Sequence, residues 1–180
     1  MKKPQIWLSI FALIVGVLMV MISINTSMPA AYPSSGFQAS HRQFYLNNTI
    51  LPDHILYPVL MTVDKLQLET TPFPERLWLQ AEYGWRRLDY ARQLIDKNKI
   101  DLALTAFTKS QKYLLNATQE TLDAQTTNEI RLKMLKHLTA YLWEAKIIAD
   151  NFDTAQKAVV DRLISECESI KLRLGQSLSH

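Results

Sequence analysis

The pattern of hydrophobic and polar positions divides the chain into two unlike parts. Residues 6–24 form an apolar run without a charged residue, whereas the sequence after the run is rich in polar residues. As a helix rising ~1.5 Å per residue, the run spans about 28 Å, close to the ~30 Å hydrocarbon core of a bilayer. Lys2 and Lys3 precede the run, and no basic residue follows it before Arg42. By the positive-inside rule, we expect a single-pass membrane helix, residues 1–5 in the cytoplasm and the remainder outside the cell membrane.

A cleaved signal peptide is the alternative interpretation of this run. Signal peptides usually have an apolar stretch of only ~7–15 residues, followed by a cleavage site of the small-x-small type. The run is longer, and the candidate site around Met28 and Ala30 has methionine where a small residue is needed. We therefore expect a retained signal-anchor. Since only residues 1–5 precede it, we also expect no cytoplasmic output domain on this chain.

The periodicity beyond the run predicts a helical domain over residues 56–175. Residues 25–55 are rich in proline, serine and asparagine and predict a linker, and residues 176–180 are expected to be a frayed tail. Between them, apolar positions recur at spacings of three and four, as on one face of a helix. Five stripes result: Val59, Val63 and Leu66; Leu77, Ala81, Gly84, Leu88, Ala91 and Ile95; Ala103, Phe107, Ser110, Leu114 and Ala117; Ile130, Met134, Leu138, Tyr141, Ala145 and Ile148; Val160, Leu163, Cys167, Ile170 and Leu174. We expect each stripe to face inward.

Residues typical of helix starts and ends separate these stripes. They are Pro58, the pair Pro74-Glu75, Thr126 with Glu129 as a capping box, Asp153 with Gln156 as a second cap, and Gly175 as a helix end. The turns between them are short, so neighbouring helices should run antiparallel. The predicted fold class is all-α, with one membrane helix followed by an up-and-down bundle of four to five helices.

Composition limits the function classes that remain. The formal net charge is +3, of which Lys2 and Lys3 supply two, so the exported part is close to +1 (3 − 2) and offers no basis for nucleic-acid binding. The single cysteine, Cys167, excludes an internal disulfide. Its place on an apolar stripe predicts a buried small hydrophobe, and an intermolecular disulfide or a reactive thiol is the alternative.

Candidate chemistry is sparse. The four histidines, His41, His54, His137 and His180, are scattered, and none follows a carboxylate at the Glu-x-x-His spacing of di-iron bundles. Phosphate-loop, dinucleotide-binding and serine-nucleophile motifs do not occur in the sequence. We therefore predict no metal, no cofactor and no catalytic residue, and a protein that is not an enzyme.

One aromatic and basic group on the second predicted helix stands out. Trp78, Trp85, Arg86 and Arg87 lie close together in the sequence. Because tryptophan and arginine are favoured at interfaces, these four are the predicted partner-contact residues. The alternatives are that the tryptophans form the edge of the core, and that the arginines lie on a solvated face in ion pairs four residues apart, such as Glu82 with Arg86.

The segment Ile50 to Pro58, ILPDHILYP, resembles the opening of a bacterial family known only as a domain of unknown function, whose members begin with an LPDSPLYPLK-type stretch. The later pair Pro74-Glu75 and the segment Arg86-Arg87-Leu88 fit the family's second helix, so the resemblance covers about residues 50–122. It implies a membrane-anchored or secreted helical domain without assigned catalytic residues. Leu60 and Phe73 depart from the family pattern, where lysine and a capping aspartate are usual.

These observations predict a structural or protein-binding module of the cell envelope. Its partners would be membrane lipid, through the first helix, and a protein at the envelope. The alternative is a sensor or regulatory ectodomain that binds a ligand and works through a partner.

Overall fold

Five α-helices make up residues 50–178, the part of the chain that this computed structural model describes. They are α1 (Tyr57–Thr70), α2 (Glu75–Asp96), α3 (Ile100–Asp123), α4 (Asn128–Ala149) and α5 (Thr154–Gln176), and these residues include no strand. The predicted all-α class is confirmed for this region. The predicted membrane helix over 6–24 lies outside the described residues. Between residues 50 and 178, no helix has the length and apolar character needed to span a membrane.

Successive helices run antiparallel, as their short turns predict. Arg76 at the start of α2 bonds to Glu120 near the end of α3, with the guanidinium Nε 3.1 Å from the carboxylate. Gln156 at the start of α5 donates to Asp101 at the start of α3, at 3.2 Å, so these two helices point the same way. The result is an up-and-down arrangement in which α2 to α5 enclose a common core.

The predicted stripes of α2 to α5 supply that core. Their buried members are Leu77, Ala81, Leu88, Ala91, Ala103, Phe107, Leu114, Ala117, Met134, Leu138, Tyr141, Ala145, Ile148, Val160, Leu163, Cys167, Ile170 and Leu174. Leu51 also joins the core at 3 % exposure, although it lies in the predicted linker over 25–55. The packed domain therefore begins before residue 56. The free energy gained by burying this leucine is enough to order the chain there, although the surrounding composition is typical of a linker.

Helix α1 faces the opposite way from the sequence-based expectation. Its apolar stripe lies outward, with Val59 61 % exposed and Leu66 42 % exposed. The inward positions are instead Tyr57 and Asp64, which are buried, with Leu60 and Met61, which pack on the core while partly exposed. The physical reason is a pair of arginines on α2: a buried charge is costly unless it is paired, so the helix turns its carboxylate toward them.

The helix ends agree with the predicted caps to within one residue. Asp153 caps α5 as predicted, since its carboxylate accepts from the Gln156 amide at 2.8 Å. The predicted cap of α4 at Thr126 is wrong by one position, because Thr127 occupies the N-cap and the Thr126 hydroxyl donates to the Thr121 carbonyl at 3.0 Å. Gly175 lies inside the last turn of α5, which ends one residue later at Gln176.

Gly84 lets α2 and α3 approach closely. A Cβ at this position would lie 1.8 Å from Leu114 Cδ2 and 3.3 Å from the Ser110 carbonyl oxygen. We expect Gly84→Ala to lower the free energy of unfolding by about 1–3 kcal/mol, because overpacking a filled core outweighs the better helix propensity of alanine. Thermal unfolding of the full-length protein, followed by circular dichroism, measures the change.

Gly175 provides a matched control in the same type of element. A Cβ there would meet nothing within 4 Å. Gly175→Ala should therefore stabilise the protein by about 0.5–1 kcal/mol, mainly by restricting the unfolded chain. Equal stabilisation by both substitutions would show that the Gly84 contact has no energetic weight.

Candidate functional site

Three charged side chains lie together between α1 and α2, and we call them the charge cluster: Asp64, Arg86 and Arg87. Asp64 is 2 % exposed and Arg87 is 1 % exposed, whereas Arg86, at the outer edge of the cluster, is partly exposed. One oxygen of Asp64 accepts from Arg86 Nη2 at 2.6 Å, and the other accepts from Arg87 Nη2 at 3.0 Å. Two cations thus share one anion, which leaves a formal excess of one positive charge in a mostly buried site.

Tyrosine rings line the cluster and offset that excess charge. The Arg86 guanidinium lies 4.5 Å from the centroid of Tyr83, and that of Arg87 lies 4.4 Å from the centroid of Tyr113. The two rings meet edge to face, with centroids 5.8 Å apart. Since an aromatic face is electron-rich, each desolvated cation–π contact is worth up to about 2 kcal/mol. One carboxylate cannot balance two cations. The rings therefore supply part of the missing negative potential.

Tyr83 and Arg86 each keep one charge state at neutral pH. Burial raises the pKa of Tyr83, and the nearby Asp64 carboxylate raises it further, so the hydroxyl remains a donor, to Gln67 Oε1 at 2.7 Å. Burial acts to lower the pKa of Arg86, but Asp64, with Tyr90 and Tyr83, outweighs it and the pKa is raised. Because neither group changes its charge near neutrality, neither is suited to general acid–base chemistry.

The cluster works as a structural connection between helices. Both oxygens of Asp64 are occupied by arginines, and Arg87 also donates to the Tyr83 carbonyl at 3.3 Å. This arrangement leaves the carboxylate closed to a substrate. Its effect is to hold α1 against α2 in one rotational setting.

That setting leaves an apolar surface on the far side of α1, which we call the α1 outer face: Leu56, Val59, Val63 and Leu66. Three of the four are exposed and Val63 is half-buried. Two further exposed side chains, Ile55 and Phe73, lie just before and just after the helix. Contiguous exposed apolar surface of this kind marks interaction sites in soluble domains. The sequence pattern identifies Val59, Val63 and Leu66 as one stripe but assigns that stripe to the core.

The predicted partner-contact residues do not form an open patch. Arg87 is buried, and Arg86 is mostly buried against Asp64. The Trp78 ring packs on His137 of α4 with centroids 5.6 Å apart, and Trp85 meets Tyr141 of α4 edge to face at 5.5 Å. The structure places α1 and α4 against the face of α2 that carries these residues, and Trp78, Trp85 and Arg86 stay partly exposed there.

Arg86 and Arg92 of α2 form ion pairs with residues of other helices, at separations along the chain far larger than four. Arg86 pairs with Asp64 of α1, and Arg92 pairs with Glu144 of α4. These partners lie 22 and 52 positions apart in the chain. No local pattern indicates them. The best signal in the sequence is Asp64 itself, a carboxylate at helical spacing from Tyr57, Leu60 and Met61.

A second buried polar network crosses the core. The Ser110 hydroxyl donates to the Gly84 carbonyl at 2.6 Å, so Tyr141 donates its hydroxyl to Ser110 at 2.7 Å. Cys167 donates its thiol to Gln111 at 2.7 Å, and burial raises the pKa of this thiol to about 12. Cys167 is therefore buried as predicted, and it stays a neutral thiol at physiological pH.

Sites for a metal or a small ligand are limited in this region. Within residues 50–178, no group of three or more histidine, cysteine, aspartate or glutamate side chains is placed to hold a metal. An open cleft of about 350 Å³ lies between α4 and α5. Four of its five charged side chains form two ion pairs, Lys146 with Glu168 at 2.6 Å and Lys157 with Asp150 at 2.9 Å.

The geometry defines a class: an α-helical bundle domain with a buried charge cluster and one helix that turns an apolar face outward. A family model described as "Domain of unknown function (DUF5667)" matches residues 49–166, well over half of the chain, and the chain belongs to this family. The match extends beyond the resemblance over 50–122 and includes α4 and the first half of α5. Searches of curated proteins and of solved structures returned no match.

Proposed function

We propose that this protein is a non-enzymatic binding module of a bacterial cell envelope, anchored by a membrane helix over residues 6–24. In this proposal the N-terminus is cytoplasmic and the helical domain is extracytoplasmic, as the charge distribution around the run favours. Residues 25–49 would connect the anchor to the packed domain. The proposed partner is a protein, and the proposed contact surface is the α1 outer face.

The outward turn of α1 is the observation that carries the proposal. A helix of a small bundle normally buries its apolar stripe, whereas α1 buries Asp64 and exposes Val59 and Leu66. The charge cluster holds this orientation at the cost of burying three charged groups. An orientation that leaves apolar surface in water is explained if a partner covers that surface.

A ligand-binding sensor ectodomain is the alternative, and the cleft between α4 and α5 supports it. The volume of about 350 Å³ falls within the range of small-molecule sites. Such sites are mostly apolar, however, and this cleft is rimmed by paired charges. We therefore place protein binding first.

One experiment on the full-length, C-terminally tagged chain tests the proposal. One sample of cell membranes is extracted at alkaline pH. From a second sample, which is not extracted, the membranes are solubilised and the chain is captured. We expect the chain to stay in the membrane fraction and to retain a protein that Val59→Lys loses and Leu172→Lys keeps. Leu172 on α5 is the matched control, because it is 66 % exposed and Val59 is 61 % exposed. Full extraction from the membrane would overturn the anchor, and equal retention by both variants would overturn the role of α1.

A further inference from the structure

The α1 outer face has the spacing of a coiled-coil seam. Its residues lie at positions 56, 59, 63 and 66, at intervals of three, four and three. In heptad terms, Leu56 and Val63 occupy a positions, and Val59 and Leu66 occupy d positions. The second heptad has valine at a and leucine at d, the order typical of two-stranded parallel pairs, whereas the first has leucine at a and valine at d.

The charges around this face favour a protein helix over a lipid surface. Besides buried Asp64, helix α1 carries two charged residues, Lys65 and Glu69, which face each other at 3.8 Å. They cancel, so the face offers no net positive charge to anionic headgroups. A near-neutral apolar stripe is complementary to an identical stripe, because nothing on it repels a copy of itself.

We infer that two copies of this chain pair through their α1 outer faces, in parallel, with each seam residue against its counterpart. Parallel pairing brings the N-terminal ends of both α1 helices together. The segments that precede them, residues 25–49, then leave from the same end of the pair, so both copies can be attached to one membrane. An antiparallel pair would send the two segments in opposite directions.

The α1 outer face is small, so we expect the copies to pair on a membrane and only weakly in dilute solution. Helix α1 has 14 residues, about two heptads, which is short for a coiled coil that must be stable alone. We expect the contact to fall below the ~800 Å² per partner of a standard interface, so pairing in dilute solution is weak. Attachment to one membrane raises the effective concentration of the copies and populates the pair. This step rests on the proposed membrane anchor.

Disulfide trapping in the full-length chain tests the pairing. In a parallel pair, Val59→Cys places two thiols opposite each other at a d position. Leu172→Cys serves as the control for random collision, since its exposure is similar and it lies on α5. The natural Cys167 is buried and bonded to Gln111, so the parent chain should form no disulfide dimer. Mild oxidation in intact membranes should give at least about tenfold more dimer from Val59→Cys than from Leu172→Cys.

Each of the other outcomes would overturn one named part of the proposal. Equal dimer yields from the two variants, with thermal unfolding unchanged from the parent, would overturn pairing through α1. A cross-linked product of another mass, containing a different protein, would replace the second copy with a heterologous partner. If alkaline extraction releases the chain from membranes, the proposed anchor is wrong. Pairing is then tested separately, by measuring how Val59→Cys cross-linking depends on the concentration of the purified full-length protein.

Discussion

Replacing Asp64 with alanine is expected to lower the free energy of unfolding by about 3–5 kcal/mol, the usual cost of removing one partner from a buried ion pair. The carboxylate is 2 % exposed and is the shared acceptor of two arginines, at 2.6 and 3.0 Å. Without it, two guanidinium groups lose their shared anion, and of these Arg87 is fully buried and Arg86 is mostly buried. Chemical denaturation of the full-length protein, followed by circular dichroism, measures the loss.

The structural response should be local to α1. This helix meets the bundle through Tyr57, Leu60 and Met61, which pack on the core, and through the polar contacts of Asp64 and Gln67, whereas α2 to α5 supply most of the core. The simplest relief for the unpaired arginines is therefore release of α1 into solvent. Hydrogen exchange should show lost protection over residues 57–70 and retained protection in α3 and α5.

Two matched variants separate the buried charge from general effects. Lys65→Ala removes the neighbouring charge of α1, which belongs to an exposed pair with Glu69, and should change stability by less than about 0.5 kcal/mol. The triple variant Asp64→Leu/Arg86→Met/Arg87→Met replaces all three charges with apolar side chains and should recover much of the loss. If Asp64→Ala costs no more than Lys65→Ala, the charge cluster does not set the orientation of α1.

Replacing Phe107 with alanine should cost about 3–5 kcal/mol, as expected for truncating a fully buried aromatic side chain. Phe107 lies on α3 with 0 % exposure and meets Phe152 edge to face, with ring centroids 5.6 Å apart. Phe152 belongs to the turn between α4 and α5, so this contact connects the centre of the bundle to that turn. Unlike the Asp64 variant, Phe107→Ala should weaken α2 to α5 together.

Phe73→Ala is the control for this second prediction. Phe73 is 42 % exposed in the turn between α1 and α2, so its truncation should cost about 1 kcal/mol or less. Urea unfolding of both variants at equal protein concentration provides the comparison. Similar losses from the two substitutions would show that Phe107 is not at the centre of the core.

The helices of this protein could be predicted from local information. The three-four spacing from Leu77 to Ile95 reappears as the buried face of α2, and the same holds for the stripes of α3, α4 and α5. Asp153 was identified as a cap from residue type and position alone. Such features succeed because helix formation and capping depend on neighbours within one or two turns.

The candidate site could not be predicted in the same way. The sequence indicates that Val59 and Leu66 share one face of a helix, but not that Arg86 and Arg87 lie opposite the other face. Trp78 and Trp85 have the composition of an interface, yet α4 covers them. Each of these outcomes depends on partners far away in the chain.

By itself, the sequence determined an all-α domain, the places where its helices begin and end, and the faces of α2 to α5 that form the core. The tertiary structure alone decided the rotation of α1, the pairing of Asp64 with two arginines of α2, and the surface left apolar as a result. The physical reason is that periodicity fixes which residues of one helix lie together. Which residues pack against them depends on the whole bundle. In α1, the need to pair a buried carboxylate outweighs the gain from burying the apolar stripe.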